Sequence, residues 1–302
     1  MAYSGIGGQA VMEGVEMQNG TRGAVAVRLQ DGTIHTDDIK ITPEPEWVKR
    51  TPIVRGVHSF FNSLIIGIGT LFKSASYFED EDEKEKEKEK SPAQEKAEMG
   101  VTLLISFVIA IAVFLYLPMF LSDLMSSIIK VKWVVILLEG IIRIVIFLLY
   151  IWLIGKTEDI HRTFMYHGAE HKCINCIEHD LPLNVENVRK SSRFHKRCGT
   201  SFIFIVFLIS VVLFMFIRTD NVGLKVLFRL LLMPVIAGIA YEFLRIGGRS
   251  ENRLVNILSQ PGLWVQRLTT QEPDDSMIEV GIASVRAVFD PEKFLQDHEL
   301  QQ

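Results

Sequence analysis

Cysteine is scarce. Three occur in 302 residues, all between positions 173 and 198. They are too few and too clustered for a secreted disulfide framework, and free thiols or metal ligands in a reducing compartment fit better. The opening MAYSGIGGQAVMEG has no basic segment followed by an apolar run, so no cleaved signal peptide is expected. Its glycines lack the G-x-G-x-x-G spacing and the helix that should follow, which excludes a nucleotide loop and leaves a tight backbone bend. No Lys/Arg cluster reads as a nucleic-acid stripe, so no nucleic-acid partner is expected. The net charge of −4 says little about partners.

What is present is segregated. Apolar residues make up 48% and charged residues 23% of the chain, and the mean hydropathy is +0.24. The charges sit at the ends and in the middle, while the apolar residues fall in blocks. Residues 99–121, 133–154, 201–217 and 224–244 read as four membrane spans, against a requirement of about 20 residues each. The first two (99–154) and the last two (201–244) form hairpins. Pro234 inside the fourth is tolerated if neighbours satisfy the freed carbonyl. Lys and Arg concentrate before the first span, in 155–200 and after 244. The outer loops carry only Lys130 and Lys132, and Arg218 and Lys225. The positive-inside rule then places both termini and the middle loop in the cytoplasm of an inner-membrane protein.

Around these spans, residues 1–55 read as a small β-rich region, with Ala24–Gln30 and Thr33–Ile41 paired across an Asp31-Gly32 turn. Residues 56–76 read as an amphipathic helix with Val57, Phe60, Phe61, Leu64, Ile65, Ile68, Leu71 and Phe72 on one face. It lies in the interface, packs on the bundle, or is a buried soluble helix. Residues 77–98 form a linker containing the charge run Glu79–Lys90. In the soluble part, 245–302, residues Arg249–Leu258 continue the fourth span or start an interfacial helix that Pro261-Gly262 breaks. Thr269–Asp275 is a turn with an N-cap signal before a helix from Met277 to Phe289.

The chemistry concentrates in Tyr166–Thr200, which holds four of the eight histidines and all the cysteines. His167-Gly-Ala-Glu170-His171 is an H-x-x-E-H pattern. On a helix its two imidazoles share a face and Glu170 borders it, the arrangement of a zinc site with a carboxylate able to deprotonate water. His195 and Cys198 form a second group before the next apolar helix. Together they supply His167, His171, His195 and Cys198 as ligands, or three of these plus open water, with Glu178 able to replace one. Cys173 and Cys176 form a C-x-x-C with no second C-x-x-C to pair with, and are left as spares. Glu139 and Arg143 lie four apart inside the second span, as a substrate contact or a self-neutralising pair. Glu242 sits at the inner end of the fourth span, near the loop site or paired with Arg245 or Arg249.

The segments GIGGQAVMEGV, TPIVRGVHSF, YHGAEHK, HKRCGTSF and PGLWVQRLTTQEPDD occur in that order. Together they resemble the YqhQ-like bacterial membrane proteins, over nearly the whole chain. The resemblance implies a membrane protein and a metal-dependent enzyme, the latter a label predicted for members rather than measured. Its motifs point to Glu13, Arg55, His167, Glu170, His171, Glu178, His195 and Cys198. The chain departs from the pattern at Glu16, where methionine is more usual, with no large consequence expected.

The expectation is thus an α-helical integral membrane protein of about four transmembrane helices, one amphipathic helix and a small β-hairpin region. It would hold a divalent metal, zinc by ligand type, at the cytoplasmic membrane surface. The partners would be the bilayer and a lipid-linked or membrane-protein substrate hydrolysed with Glu170 as general base, and a homo-oligomer is left open. Two other readings stand beside it. One is a non-enzymatic scaffold or assembly factor with a structural metal. The other is a lipid or solute transporter using Glu139, Arg143 and Glu242, although no inverted repeat is visible.

Overall fold

In the computed structural model, which describes residues 3–78, 91–217, 219, 221–248 and 252–299, the N-terminal segment is a four-stranded antiparallel meander. Its strands are β1 (Gly7–Val11), β2 (Gly14–Asn19), β3 (Arg22–Arg28) and β4 (Ile34–Lys40). The Asp31-Gly32 turn joins β3 to β4, with Gly32 at φ +84° and the Asp31 carboxylate accepting the Thr33 N–H at 2.9 Å. The glycine-rich opening is not merely a bend. It forms β1, which turns at Glu13 (φ +49°) into β2. Val15, Glu16 and Met17 in β2 and Ala24–Val27 in β3 are all buried. Strands covered on both faces lose the period of two that would reveal them. The charge run Glu79–Lys90 lies outside the described residues, as do Arg218 and Arg249.

The helices are α1 (Glu46–Arg50), α2 (Val54–Ser76), α3 (Pro92–Ile111), α4 (Leu117–Met125), α5 (Lys132–Ile154), α6 (Glu158–Glu178), α7 (Val185–Lys190), α8 (Gly199–Phe214), α9 (Val222–Gly247), α10 (Arg253–Thr269), α11 (Asp275–Val288) and α12 (Pro291–Glu299). The chain divides into two compact units. The first comprises Met1–Phe78, Ile151–Phe204 and Ala237–Gln302, the second Glu79–Tyr150 and Ile205–Ile236.

In the first unit, Val15 and Met17 of β2 and Ala24 and Ala26 of β3 share a core with Tyr166, Ile174 and Ile177 of α6 and Met277, Ile278 and Val285 of α11. Val11, Val25 and Val27 lie in a second core with Tyr77 and Phe78. Helix α2 buries only Gly56, Thr70 and Ser74, while Phe61, Leu64, Ile65, Leu71 and Phe72 of its apolar face stay exposed. Asp274 caps α11 by accepting the Met277 N–H at 3.0 Å, as its place in the turn predicts. One boundary differs. Helix α10 runs through Pro261-Gly262 instead of stopping there. A Cβ on Gly262 would come within 2.6 Å of the Ser201 hydroxyl, so the glycine serves a close approach to α8 rather than a break.

In the second unit, α3 starts from a capping box, with the Ser91 hydroxyl and Gln94 side chain each accepting the other's backbone N–H. It reaches α4 through a π turn at Ala112–Tyr116. Pro118 has no N–H for the carbonyl of Phe114, and the Arg143 guanidinium donates to that carbonyl instead, at 3.0 Å. Helices α5 and α8 touch at Gly140, where a Cβ would collide with Val211. Among the described residues, three helices are long and apolar enough to cross a membrane: Ala97–Met125, Lys132–Ile154 and Val222–Gly247. Helix α8, the third expected span, has 16 residues.

The charged pair expected inside α5 is a larger cluster. Glu139 accepts from Arg143 at 2.5 Å and from both terminal nitrogens of Arg229 at 2.7 Å. Arg143 also donates to the Ser210 hydroxyl at 3.0 Å, and both guanidiniums lie over the Phe214 ring. Glu139, Arg143 and Arg229 are all buried.

Candidate metal centre

Helix α6 builds the site. Its first turn carries Glu158 and Asp159, which suit a helix N-terminus, and from Tyr166 to Glu178 all but His167 are buried. His167 and His171, one turn apart, have ring centroids 4.4 Å apart. Gly168 sits between them because the chain at Gln271 passes directly over it; a Cβ there would lie 2.0 Å from the Gln271 carbonyl oxygen. That close approach brings the Thr269 carbonyl to His167 Nδ1 at 2.8 Å. On the other side the Arg193 carbonyl meets His171 Nδ1 at 2.7 Å. Each Nδ1–H donates to a carbonyl, which turns Nε2 of both rings toward the same point, the usual orientation of metal-binding histidines.

That partner position is occupied by Cys198. Its Sγ lies 3.2 Å from His167 Nε2 and 3.1 Å from the Thr200 hydroxyl. The ligand atoms of His167, His171 and Cys198 all fall within 4.8 Å of one another, a group that could hold a metal ion. Electrostatics agree. Burial alone would raise the Cys198 thiol, but His167 and His171 hold it well below its ordinary value. Burial would lower His167, and the neighbouring sulfur raises it to about 9 instead. A thiolate facing imidazole nitrogens is the donor set zinc prefers.

His195 and Glu178, both expected near this group, pair with each other. His195 Nε2 lies 3.2 Å from Glu178 Oε2, and its ring stands 5.8 Å from that of His171. Glu178 also accepts from the Ser4 N–H and hydroxyl and from Arg197 at 2.5 Å. Burial would raise this carboxyl, but His195 and Arg197 bring it down to about 2. Gln266 of α10 grips the His195 backbone, accepting its N–H at 2.9 Å and donating to its carbonyl at 2.7 Å. Nothing in the sequence marks Gln266, 71 residues away.

The remaining candidates lie elsewhere. Glu13 takes a bidentate ion pair from Arg162 at 2.5 and 2.6 Å, tying the β1–β2 turn to α6. Arg55 and Glu242 pair bidentately with each other, and Arg245 stands 4.0 Å from Glu242 as a lesser partner. Cys173 packs against Gly281 in the core and Cys176 faces the Leu181 and Pro182 carbonyls, so the C-x-x-C takes no part in the group.

His167, His171 and Cys198 open onto a cavity of about 680 Å³, lined also by Glu170, Thr200 and Glu16. Glu170 is buried, its Oε2 has no hydrogen-bond partner, and burial raises its carboxyl. Glu16, expected to matter little, is 1% exposed and neither of its oxygens is hydrogen-bonded. Burial pushes its carboxyl up to about 8, and the nearby Gln18 side-chain amide, the next largest influence, lowers it.

The fold and this group define a protein with membrane-length helices attached to a β/α unit that carries a buried His/Cys cluster. Residues 51–291 match the model of a protein family of unknown function, DUF1385. The chain is also 35% identical, over 92% of its length and 90% of the relative's, to the uncharacterized protein YqhQ of Bacillus subtilis (strain 168). The chain belongs to this family. No solved structure matches it.

Proposed function

We propose that this chain is a multi-pass inner-membrane protein that binds one zinc ion through His167, His171 and Cys198 and hydrolyses a membrane-associated substrate. The observation that carries the reading is the orientation of the two histidines. Both Nδ1 atoms are committed to backbone carbonyls, so both Nε2 atoms converge with the Cys198 sulfur at the wall of a cavity. Three protein donors beside open space fit a catalytic site better than a closed structural one. A zinc ion held there supplies Lewis acidity. Glu170, with an unpartnered oxygen in the same cavity, is the base that takes a proton from water. His195 and Glu178 keep the segment before Cys198 in place.

The membrane part of the reading rests on the three long apolar helices, with α8 as a short fourth span and the Lys/Arg distribution placing both termini in the cytoplasm. The exposed apolar face of α2 gives the first unit a surface suited to lying on lipid.

The test is metal content of the detergent-purified protein, prepared without chelators. About one zinc per chain is expected from a single His₂Cys set. His167→Ala and Cys198→Ser should lose it while keeping the helical circular dichroism of the wild type. A metal-free wild type overturns the reading.

A further inference from the structure

The cavity holds one buried carboxyl, with no hydrogen-bond partner for either oxygen, that the metal centre does not use. We propose that Glu16 is a cation subsite that takes an alkylammonium group of the substrate. This rests on the proposed site only for the word substrate, since the subsite itself stands on separate residues.

Glu16 lies mid-strand in β2, directly opposite Gln9 of β1, and Gln18 follows on the same face. All three line the cavity. Burying a carboxylate with neither oxygen hydrogen-bonded is costly, and folds remove such groups unless something repays them. The cations that line the cavity are engaged elsewhere. Arg197 is held by Glu178 and stacked on Tyr3, and Arg245 leans toward Glu242. Lys172 on α6 turns away to the carbonyls of Arg189 and Ser191 and to Glu272. Among the described residues no lysine or arginine makes an ion pair with Glu16. Glu170, also in the lining, raises the Glu16 carboxyl further rather than relieving it.

A cationic ligand would favour the ionised carboxylate over the protonated form that burial imposes, and the surroundings select its type. A hard divalent cation takes six or more oxygens, usually from several carboxylates. Here two carboxyls, Glu16 and Glu170, and the amides of Gln9 and Gln18 share the lining with the apolar Ile6 and Ile174, fewer oxygens than such an ion takes. A primary ammonium has three N–H donors. Two would meet the oxygens of Glu16. The amide oxygen of Gln9, the residue opposite in the strand pair, is the acceptor at hand for the third, since the Gln9 amide nitrogen is spent on the Thr70 hydroxyl at 2.8 Å. The apolar walls suit the carbon chain that carries the ammonium.

The experiment is ligand-observed NMR of n-butylammonium with the full-length protein in detergent, n-butanol serving as the neutral control. Metal content is measured on the same samples. The expected result is saturable binding of the amine and not the alcohol, weakened about thirtyfold or more in Glu16→Gln and partly restored in Glu16→Asp. The Gln variant should fold and melt no lower than wild type, because it replaces a buried carboxyl with no hydrogen-bond partner by a neutral group of the same shape. Equal binding of amine and alcohol, or unchanged amine binding in Glu16→Gln, overturns the subsite. So does a second equivalent of zinc in the wild type that is lost in Glu16→Gln, which would make the residue a metal ligand. Amine binding lost in Glu16→Gln together with metal-free protein upholds the subsite and overturns only the zinc reading.

Discussion

The two units bury charge in opposite ways. In the second unit, Glu139 accepts from two arginines, and these are also held by Ser210, the Phe114 carbonyl and the Phe214 ring. Only Arg229 Nε lacks a partner. In the β/α unit, Glu178 is just as saturated, but its neighbours at the cavity are not: Glu16 and Glu170 keep three oxygens without partners. A closed network fixes helices against one another, and an open one costs stability that only a ligand returns. The first unit thus holds both a lock (Glu178) and a site, while the second holds a lock alone.

Breaking the lock of the second unit should give the largest effect. Glu139→Ala leaves two buried guanidiniums facing each other with no counter-charge, and arginine does not escape by losing its proton. Removing one partner of a buried ion pair costs about 3–5 kcal/mol. The expected outcome is a protein that fails to accumulate, or that melts far below wild type in detergent. Glu139→Ala that melts within a few degrees of wild type would show that lipid or water reaches the cluster.

The lock of the first unit answers to acid. The Glu178 carboxyl is held at about 2 in the folded protein against an ordinary 4.5. A depressed folded value means stability that is present above pH 4.5 and lost as pH falls toward 2. By linkage the loss is about 3 kcal/mol. Glu178→Gln should remove this acid sensitivity, lower stability at pH 7 by a similar amount, and release Arg197. The measurement is urea unfolding of the two proteins between pH 3 and 7. Parallel pH profiles for variant and wild type would show that other carboxylates set the acid limit.

This contrast explains what could be read from residues alone. The long apolar runs revealed the helices of the second unit, since composition over about 20 residues suffices. The i, i+4 spacing of His167 and His171 placed both on one helical face, and Cys198 lay close enough in sequence to be grouped with them. The lock around His195 was not legible. Two of its members, Gln266 and Ser4, come from separate parts of the chain, and only the fold shows that His195 spends Nε2 on Glu178. Arg229 escaped for the same reason, since it joins Glu139 from 90 residues away. Strand β2 escaped because burial on both faces erases alternation, and β1 because its two glycines read as a bend. Pro261-Gly262 misled because a glycine needed for contact with Ser201 looks like a helix stop.

The Arg55–Glu242 pair lies between these extremes and gives the smallest effect. It is bidentate like the buried pairs, yet the two side chains keep 19% and 18% of their surface exposed. It stands beside the crossing of α2 and α9, where a Cβ on Gly56 would lie 2.7 Å from the Gly238 carbonyl oxygen. Glycine contact already fixes that crossing, so the ion pair adds to a geometry it did not create. A partly solvated pair is worth about 1 kcal/mol or less. A double-mutant cycle of Arg55→Ala and Glu242→Ala, read from melting in detergent, should return a coupling of about that size. A coupling of several kcal/mol would place this pair with Glu139 as a lock. A coupling near zero would leave the glycine crossing as the sole tie, and Arg55 free to serve the cavity that Arg245 lines.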